Sequence, residues 1–153
     1  MSTTSKKKVL LVTSPGGHLA QLKVVAPNFF DYERKWVTLD HHSVDVDGDD
    51  VVFGYGPTTR NLPNALRNLA LAWRVVRDFR PDVIVSTGAA MAVPFFAVAR
   101  VLGVRTVFLE VYDRIDSRTL TGRLVRPITD EFLLQWPEQR ELYGVGTVVG
   151  PVY

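Results

Sequence analysis

Three segments carry residue types that could do chemistry, and each follows an apolar run. Ser14-Pro15-Gly16-Gly17-His18 stands between Lys8-Val-Leu-Leu-Val-Thr13 and a helically spaced stretch, His18 to Ala26, that stops before Pro27. Paired glycines at a strand-to-helix turn let backbone N–H groups approach an anion at the positive end of the helix. A histidine on the first helical turn has its charged form disfavoured by the helix dipole, which keeps the imidazole neutral and able to take a proton. The same glycines would equally serve a tight turn needing positive φ, with His18 a bystander. Ser86-Thr87-Gly88-Ala89-Ala90 repeats the arrangement, with hydroxyls and a second expected helix start at Gly88. Close packing of helix on sheet would also call for small residues there. Glu110 ends Phe108-Leu109-Glu110 and is a candidate ligand for hydroxyls, or a base; its alternative is an ion pair with Arg114 or Arg118. Arg114 and Ser117 belong to a following loop rich in anion-binding side chains.

Some chemistries drop out. Neither GxGxxG nor GxxxxGK[ST] occurs, which removes a P-loop NTPase and leaves little ground for a dinucleotide enzyme. His41-His42 lie among acids without metal-ligand spacing, so no metal is expected. The chain has no cysteine, which removes disulfides, thiolate zinc sites, iron–sulfur clusters and cysteine nucleophiles together.

To act together, the three segments must end strands of one sheet. Strands are predicted at Lys8–Thr13, Trp36–Leu39, Val51–Phe53, Val83–Ser86, Thr106–Leu109, Glu131–Gln135 and Thr147–Val149. Helices are predicted between them: His18–Ala26, Leu62–Phe79 ended by Arg80-Pro81, Gly88–Leu102 capped by Gly103, Leu120–Arg126 and Glu138–Tyr143. Such alternation implies the α/β class, a Rossmann-like parallel sheet with helices on both faces and ligands beyond the carboxyl ends of the strands. With 153 residues, 46% apolar and 22% charged, the chain suits one ordered domain. The organisation expected is a basic N-terminal arm over 1–8 and one domain over 9–153. No secretory leader is read, and the uncharged stretch Val83 to Ala99 is interrupted and shorter than the roughly 20 residues that span a bilayer.

Charge is sorted along the chain. Residues 60–126 hold eleven arginines against five acids, whereas 31–50 hold two bases against seven acids. A basic belt suits phosphates, anionic lipid or nucleic acid, or is simply solvated. Nucleic acid is set aside because no RRM, KH or helix-turn-helix signature is present. In the helix from Leu62, at about 100° per residue, Leu66, Leu69, Ala72, Trp73, Val76 and Phe79 share a face that Leu71 and Val75 widen to roughly 200°, with Arg67, Arg74 and Arg77 on the remainder. A sheet-covering helix needs less apolar surface, so the surplus fits a membrane surface or another subunit; a helix deep in its own domain is the alternative.

Gly16-Gly-His18-Leu-Ala-Gln-Leu22, Arg80-Pro-Asp-Val-Ile-Val-Ser-Thr-Gly88, Phe108-Leu-Glu110 and Leu120-Thr-Gly-Arg-Leu124, in this order, resemble the acceptor-side, membrane-associated subunit of two-component glycosyltransferases. That family includes the subunit of the eukaryotic UDP-N-acetylglucosamine transferase of lipid-linked oligosaccharide synthesis and bacterial capsule and exopolysaccharide relatives. The resemblance covers nearly the whole chain and implies the N-terminal half of a GT-B enzyme, as in the peptidoglycan lipid II transferase. It implies a heterodimer in which a separate donor-binding subunit brings the UDP-sugar, and a polyprenyl-diphosphate-linked sugar as acceptor, with no cofactor. On that footing His18 is the first candidate base and Glu110 the second. Gly16, Gly17, Arg60, Thr87, Gly88, Arg114 and Ser117 would bind the acceptor. Arg67, Trp73, Arg74 and Arg77, with Lys6-Lys7-Lys8 and the apolar Ala89–Leu102 stretch, would hold the chain to the inner, cytoplasmic face of the cell membrane. The rival expectation is a non-catalytic anchor or activator of a complete transferase.

Overall fold

Runs of uncharged aliphatic residues are what a strand covered on both faces requires, and Val9 to Val12 are all fully buried. The computed structural model describes residues 5–42, 44–46 and 48–152; residues 1–4 of the expected arm, and Tyr153, lie outside them. Seven strands form one parallel sheet: β1 (Lys8–Thr13), β2 (Glu33–Leu39), β3 (Asp50–Gly54), β4 (Val83–Gly88), β5 (Arg105–Leu109), β6 (Glu131–Leu134) and β7 (Thr147–Val148). Their order is β3-β2-β1-β4-β5-β6-β7. The direction of winding reverses between β1 and β4, and in such sheets a crevice opens beyond the carboxyl ends at that point.

The helices are α1 (Gly17–Val25), continued by a 3-10 turn Ala26–Phe29, α2 (Leu62–Phe79), α3 (Ala92–Leu102), α4 (Leu120–Val125), followed by a 3-10 turn Arg126–Ile128, and α5 (Pro137–Tyr143). Alternate strand residues face opposite layers. Leu10 and Val12 enter a large core with α2, α3, Val125 of α4 and Tyr143 of α5. Val9 and Leu11 enter a smaller one with Leu19 and Leu22 of α1. The Rossmann-like α/β class expected from the alternation is the one observed.

Two local expectations are corrected. The helix after β4 does not open at Gly88, because β4 runs through that residue and α3 begins at Ala92. The Gly88 carbonyl accepts from Ser14 N at 2.9 Å, its N–H donates to Ser86 Oγ at 3.0 Å, and its φ of 102° is not helical. β2 begins at Glu33 rather than Trp36, since the ladder with β1 continues outward through the Lys8–Glu33 pair.

The wide apolar arc of α2 is divided between core and surface. Leu71, Ala72, Val75, Val76 and Phe79 form its core face, while Leu66, Leu69 and Trp73 stay outside, at 59%, 42% and 42% exposed. Two buried asparagines set this rotation. Asn68 accepts from Tyr55 N at 2.8 Å and donates to Tyr55 O at 2.9 Å, as a neighbouring strand would. Asn64 donates to Pro57 O at 2.9 Å. Turning both amides to the loop before the helix leaves Leu62, Leu66, Leu69 and Trp73 as an apolar stripe facing away from the sheet.

Candidate functional site

The turns that follow β1 and β4 are laced into one unit at the carboxyl edge. Ser14 N donates to Gly88 O at 2.9 Å, Ala89 N donates to Ser14 Oγ at 3.2 Å, and the hydroxyls of Thr13 and Thr87 are 3.3 Å apart. On this platform the Nδ1 of His18 lies 2.9 Å from Thr87 O. A carbonyl has no proton to give, so Nδ1 carries the hydrogen and, in the neutral ring, Nε2 keeps the lone pair. Thr87 Oγ1 donates in return to His18 O at 2.6 Å, which fixes the first turn of α1 to the end of β4. The imidazole rests on Gly88, where an added Cβ would come within 3.0 Å of Nδ1.

The two glycines before α1 behave differently. Gly16 has φ 90°, the turn requirement; Gly17 does not, and a Cβ on either would meet nothing within 4 Å. No side chain caps α1. The first N–H groups of α1 thus have no side-chain cap among the described residues, and the positive end of a helix suits an anion.

His18, Thr87, Gly88, Glu110, Arg114 and Thr119 line a cavity of about 230 Å³. Glu110 is 1% exposed, and the ion pair with Arg114 or Arg118 is absent among the described residues. Its carboxylate instead accepts from Val111 N at 2.9 Å, from Thr119 Oγ1 at 2.9 Å and from the Tyr143 hydroxyl. Thr119 is also the N-cap of α4, accepting from Gly122 N at 2.9 Å. Burial, with the hydrogen bond to Glu110 second, pushes Tyr143 up to about 12 from its ordinary 10.0. Glu110 thus ties the end of β5 to α4 and α5. Below it, buried Gln21, Gln135 and Gln139 hold the segment after β5: Gln135 Nε2 donates to Glu110 O at 2.8 Å and to Gln21 Oε1 at 2.6 Å, and Gln139 Nε2 donates to Val111 O at 2.8 Å.

Of the residues singled out from the sequence, His18, Glu110, Thr87, Gly88 and Arg114 line this one cavity, and Gly16 and Gly17 immediately precede His18. Ser117 is joined to Arg114, whose Nη1 donates to its Oγ at 3.4 Å. Arg60 does not line it; it sits exposed in the loop before α2 with φ 50°. On α2, the Arg67 guanidinium lies over the Tyr55 ring at 5.7 Å and that of Arg77 over Trp73 at 5.8 Å, with Arg74 exposed beside them. Thr119, Gly122, Tyr143 and the glutamines were not legible as site residues; the one local hint was Thr119-Leu-Thr-Gly122, a hydroxyl in N-cap position. Among the described residues no group of three or more His, Cys, Asp or Glu could hold a metal ion, and no helix is long and apolar enough to cross a membrane.

Residues 57–152 match the family described as oligosaccharide biosynthesis protein Alg14 like. The chain is 27% identical over 84 residues to the mouse protein named UDP-N-acetylglucosamine transferase subunit ALG14, a match covering 51% of this chain and 39% of that protein. A protein of the same name from Yarrowia lipolytica is 27% identical, with 91% of this chain and 78% of that protein covered. The chain therefore spans less than half the length of the mouse relative, and more of the yeast one. In fold it superposes on the crystal structure of MurG from Acinetobacter baumannii with a TM-score of 0.75 at 15% identity, over 94% of this chain and 45% of MurG. The architecture is that of the N-terminal half of a GT-B glycosyltransferase.

Proposed function

The chain belongs to the Alg14-like family of oligosaccharide biosynthesis proteins, and on that premise we propose that it is the acceptor-binding, membrane-associated subunit of a heteromeric glycosyltransferase. A separate subunit supplies the UDP-sugar, and the acceptor is a sugar carried on a polyprenyl diphosphate at the cytoplasmic face of the membrane. In the transfer, a C–O bond forms between an acceptor hydroxyl oxygen and the anomeric carbon while the bond from that carbon to UDP breaks. The hydroxyl proton passes to Nε2 of His18.

The observation that carries this reading is the Nδ1 hydrogen bond of His18 to Thr87 O, at 2.9 Å, because it leaves the basic nitrogen on a ring that lines the cavity. Glu110 is the poorer candidate, since three donors already occupy its oxygens. We assign it to holding the cavity wall. The uncapped start of α1 and the Arg114 guanidinium provide positive ends for the diphosphate. Leu62, Leu66, Leu69 and Trp73, flanked by Arg67, Arg74 and Arg77, provide apolar and cationic contact for an anionic leaflet, to which Lys6 and Lys7 add charge, Lys8 of the expected arm being the first residue of β1.

The test is sugar transfer from UDP-sugars to a polyprenyl-diphosphate acceptor by this chain alone, a donor-binding partner alone, and both together. Activity only in the mixture, with His18→Ala reducing it by about 10²–10⁴, is the expected result. Wild-type turnover by His18→Ala removes the histidine from the reaction. Full activity of the partner alone reduces this chain to an anchor.

A further inference from the structure

Beside the His18 cavity lies a second hollow of about 350 Å³, lined by Tyr112, Asp113, Ile115, Trp136 and Glu138. Asp113 lines both, so the two are neighbours across a single residue. The rings of Tyr112 and Trp136 stand 5.1 Å apart, inclined by 59°. Trp136 Nε1 donates to Tyr112 O at 2.8 Å, so the polar edge of the indole is already engaged and its faces and remaining edge are apolar.

This ledge is fixed from beneath. Gln21 Oε1 accepts from Tyr112 N at 3.1 Å, and Gln139 Oε1 accepts from Trp136 N at 3.2 Å. Gln139 Nε2 also donates to Arg114 O at 3.1 Å, closing the loop between the two aromatics. Gln21 is 5% exposed and Gln139 fully buried. Contact residues held rigid by a satisfied polar layer below them are how a binding site is built, since little ordering remains to be done when the ligand arrives.

The chemistry of the hollow selects its ligand. Aromatic rings offer negatively polarised faces to weakly positive C–H groups, and Asp113 and Glu138 offer carboxylate oxygens that only accept hydrogen bonds. A pyranose has both complements, C–H bonds on its faces and hydroxyl donors around its rim. The residues lining this hollow include two carboxylates and no cation, unlike the His18 cavity with its Arg114, so a phosphate is disfavoured here. We propose that this hollow is a saccharide subsite, which holds a neutral sugar of the acceptor next to the His18 cavity; the assignment to the acceptor rests on the function proposed above.

The experiment follows the indole Nε1–H signals of Trp36, Trp73 and Trp136 by ¹H–¹⁵N NMR while the full chain is titrated with N-acetylglucosamine and, separately, UDP-N-acetylglucosamine. The Trp136 signal should move with the free sugar, and Asp113→Asn or Glu138→Gln should weaken that response about five- to tenfold, with the Trp36 and Trp73 signals in place as evidence of an intact fold. No movement of Trp136, undiminished binding by both variants, or a response to the nucleotide sugar alone would overturn the subsite. Acceptor KM in the reconstituted complex separates this inference from its premise: transfer with unchanged KM in Asp113→Asn/Glu138→Gln defeats the subsite and leaves acceptor binding standing. Sugar binding at Trp136 with no transfer by any mixture upholds a saccharide site and defeats the transferase reading.

Discussion

Replacing Gly122 by alanine should destabilise the chain, although the same change in an exposed helix stabilises it by up to about 1 kcal/mol. Gly122 is buried in α4, and an added Cβ would lie 2.5 Å from Glu110 Oε2, 2.9 Å from Thr119 Oγ1, and closer still to the Tyr143 hydroxyl. Glu110 and Tyr143 are 1% and 3% exposed, so neither can swing into solvent. Overpacking of this kind costs about 1–3 kcal/mol, and pushing a hydroxyl off a carboxylate costs about 1.5 kcal/mol or more. Set against the propensity gain, the net loss is about 2–4 kcal/mol. In a chain of this length that lowers Tm by roughly 5–15 °C. Thermal and urea unfolding of Gly122→Ala, with an unchanged m-value, reads the effect. A second variant isolates the cause: Tyr143→Phe removes the nearest atom, so the double variant should lose less than the sum of the two singles. A Gly122→Ala chain as stable as the parent, or strictly additive losses, would refute the crowding around Glu110.

Thr38 Oγ1 is buried without a hydrogen-bond partner among the described residues, so Thr38→Val, which keeps the shape and removes the hydroxyl, should raise stability by about 1 kcal/mol in urea unfolding. Tyr143 ionises at about 12 when folded against its ordinary 10.0. The folded state therefore holds a proton that the unfolded state loses, stability falls as pH rises from 10 towards 12, and Tyr143→Phe should flatten that part of the profile. Changing Arg67, Arg74 and Arg77 to glutamine should weaken binding to anionic vesicles at low salt by roughly 100-fold, at about 1 kcal/mol per cation. Undiminished sedimentation with the vesicles would count against the α2 face.

What the sequence made legible was local. The bounds of β1 and α2 match their apolar runs and breakers, because a strand buried on both faces and a helix stopped before proline are written in adjacent residues. The alternation carried the sheet class, and the strand ends carried the gathering of His18, Thr87 and Glu110 at one edge. The apolar surplus of α2 was legible in its residue pattern, whereas which residues form it depends on Asn64 and Asn68 turning to the 55–57 backbone. The start of α3 was misread because Gly88 is bound by Ser14, distant in sequence. The partners of Glu110 lay hidden for the same reason: Tyr143 stands 33 residues away, and the Gln21–Gln135 bond spans 114.

Such separations also govern when the His18 notch exists. The bond between His18 and Thr87 joins residues 69 apart, so the notch forms only after the centre of the sheet has closed, a slow, non-local step in folding. No fragment of the unfolded chain contains it, and any ligand of the notch binds the native state alone. Its binding then adds to global stability by mass action, about 2.7 kcal/mol at a hundred times Kd. The melting temperature of the whole chain is therefore a ligand detector in its own right, able to rank candidate ligands of the notch before any turnover assay is in hand.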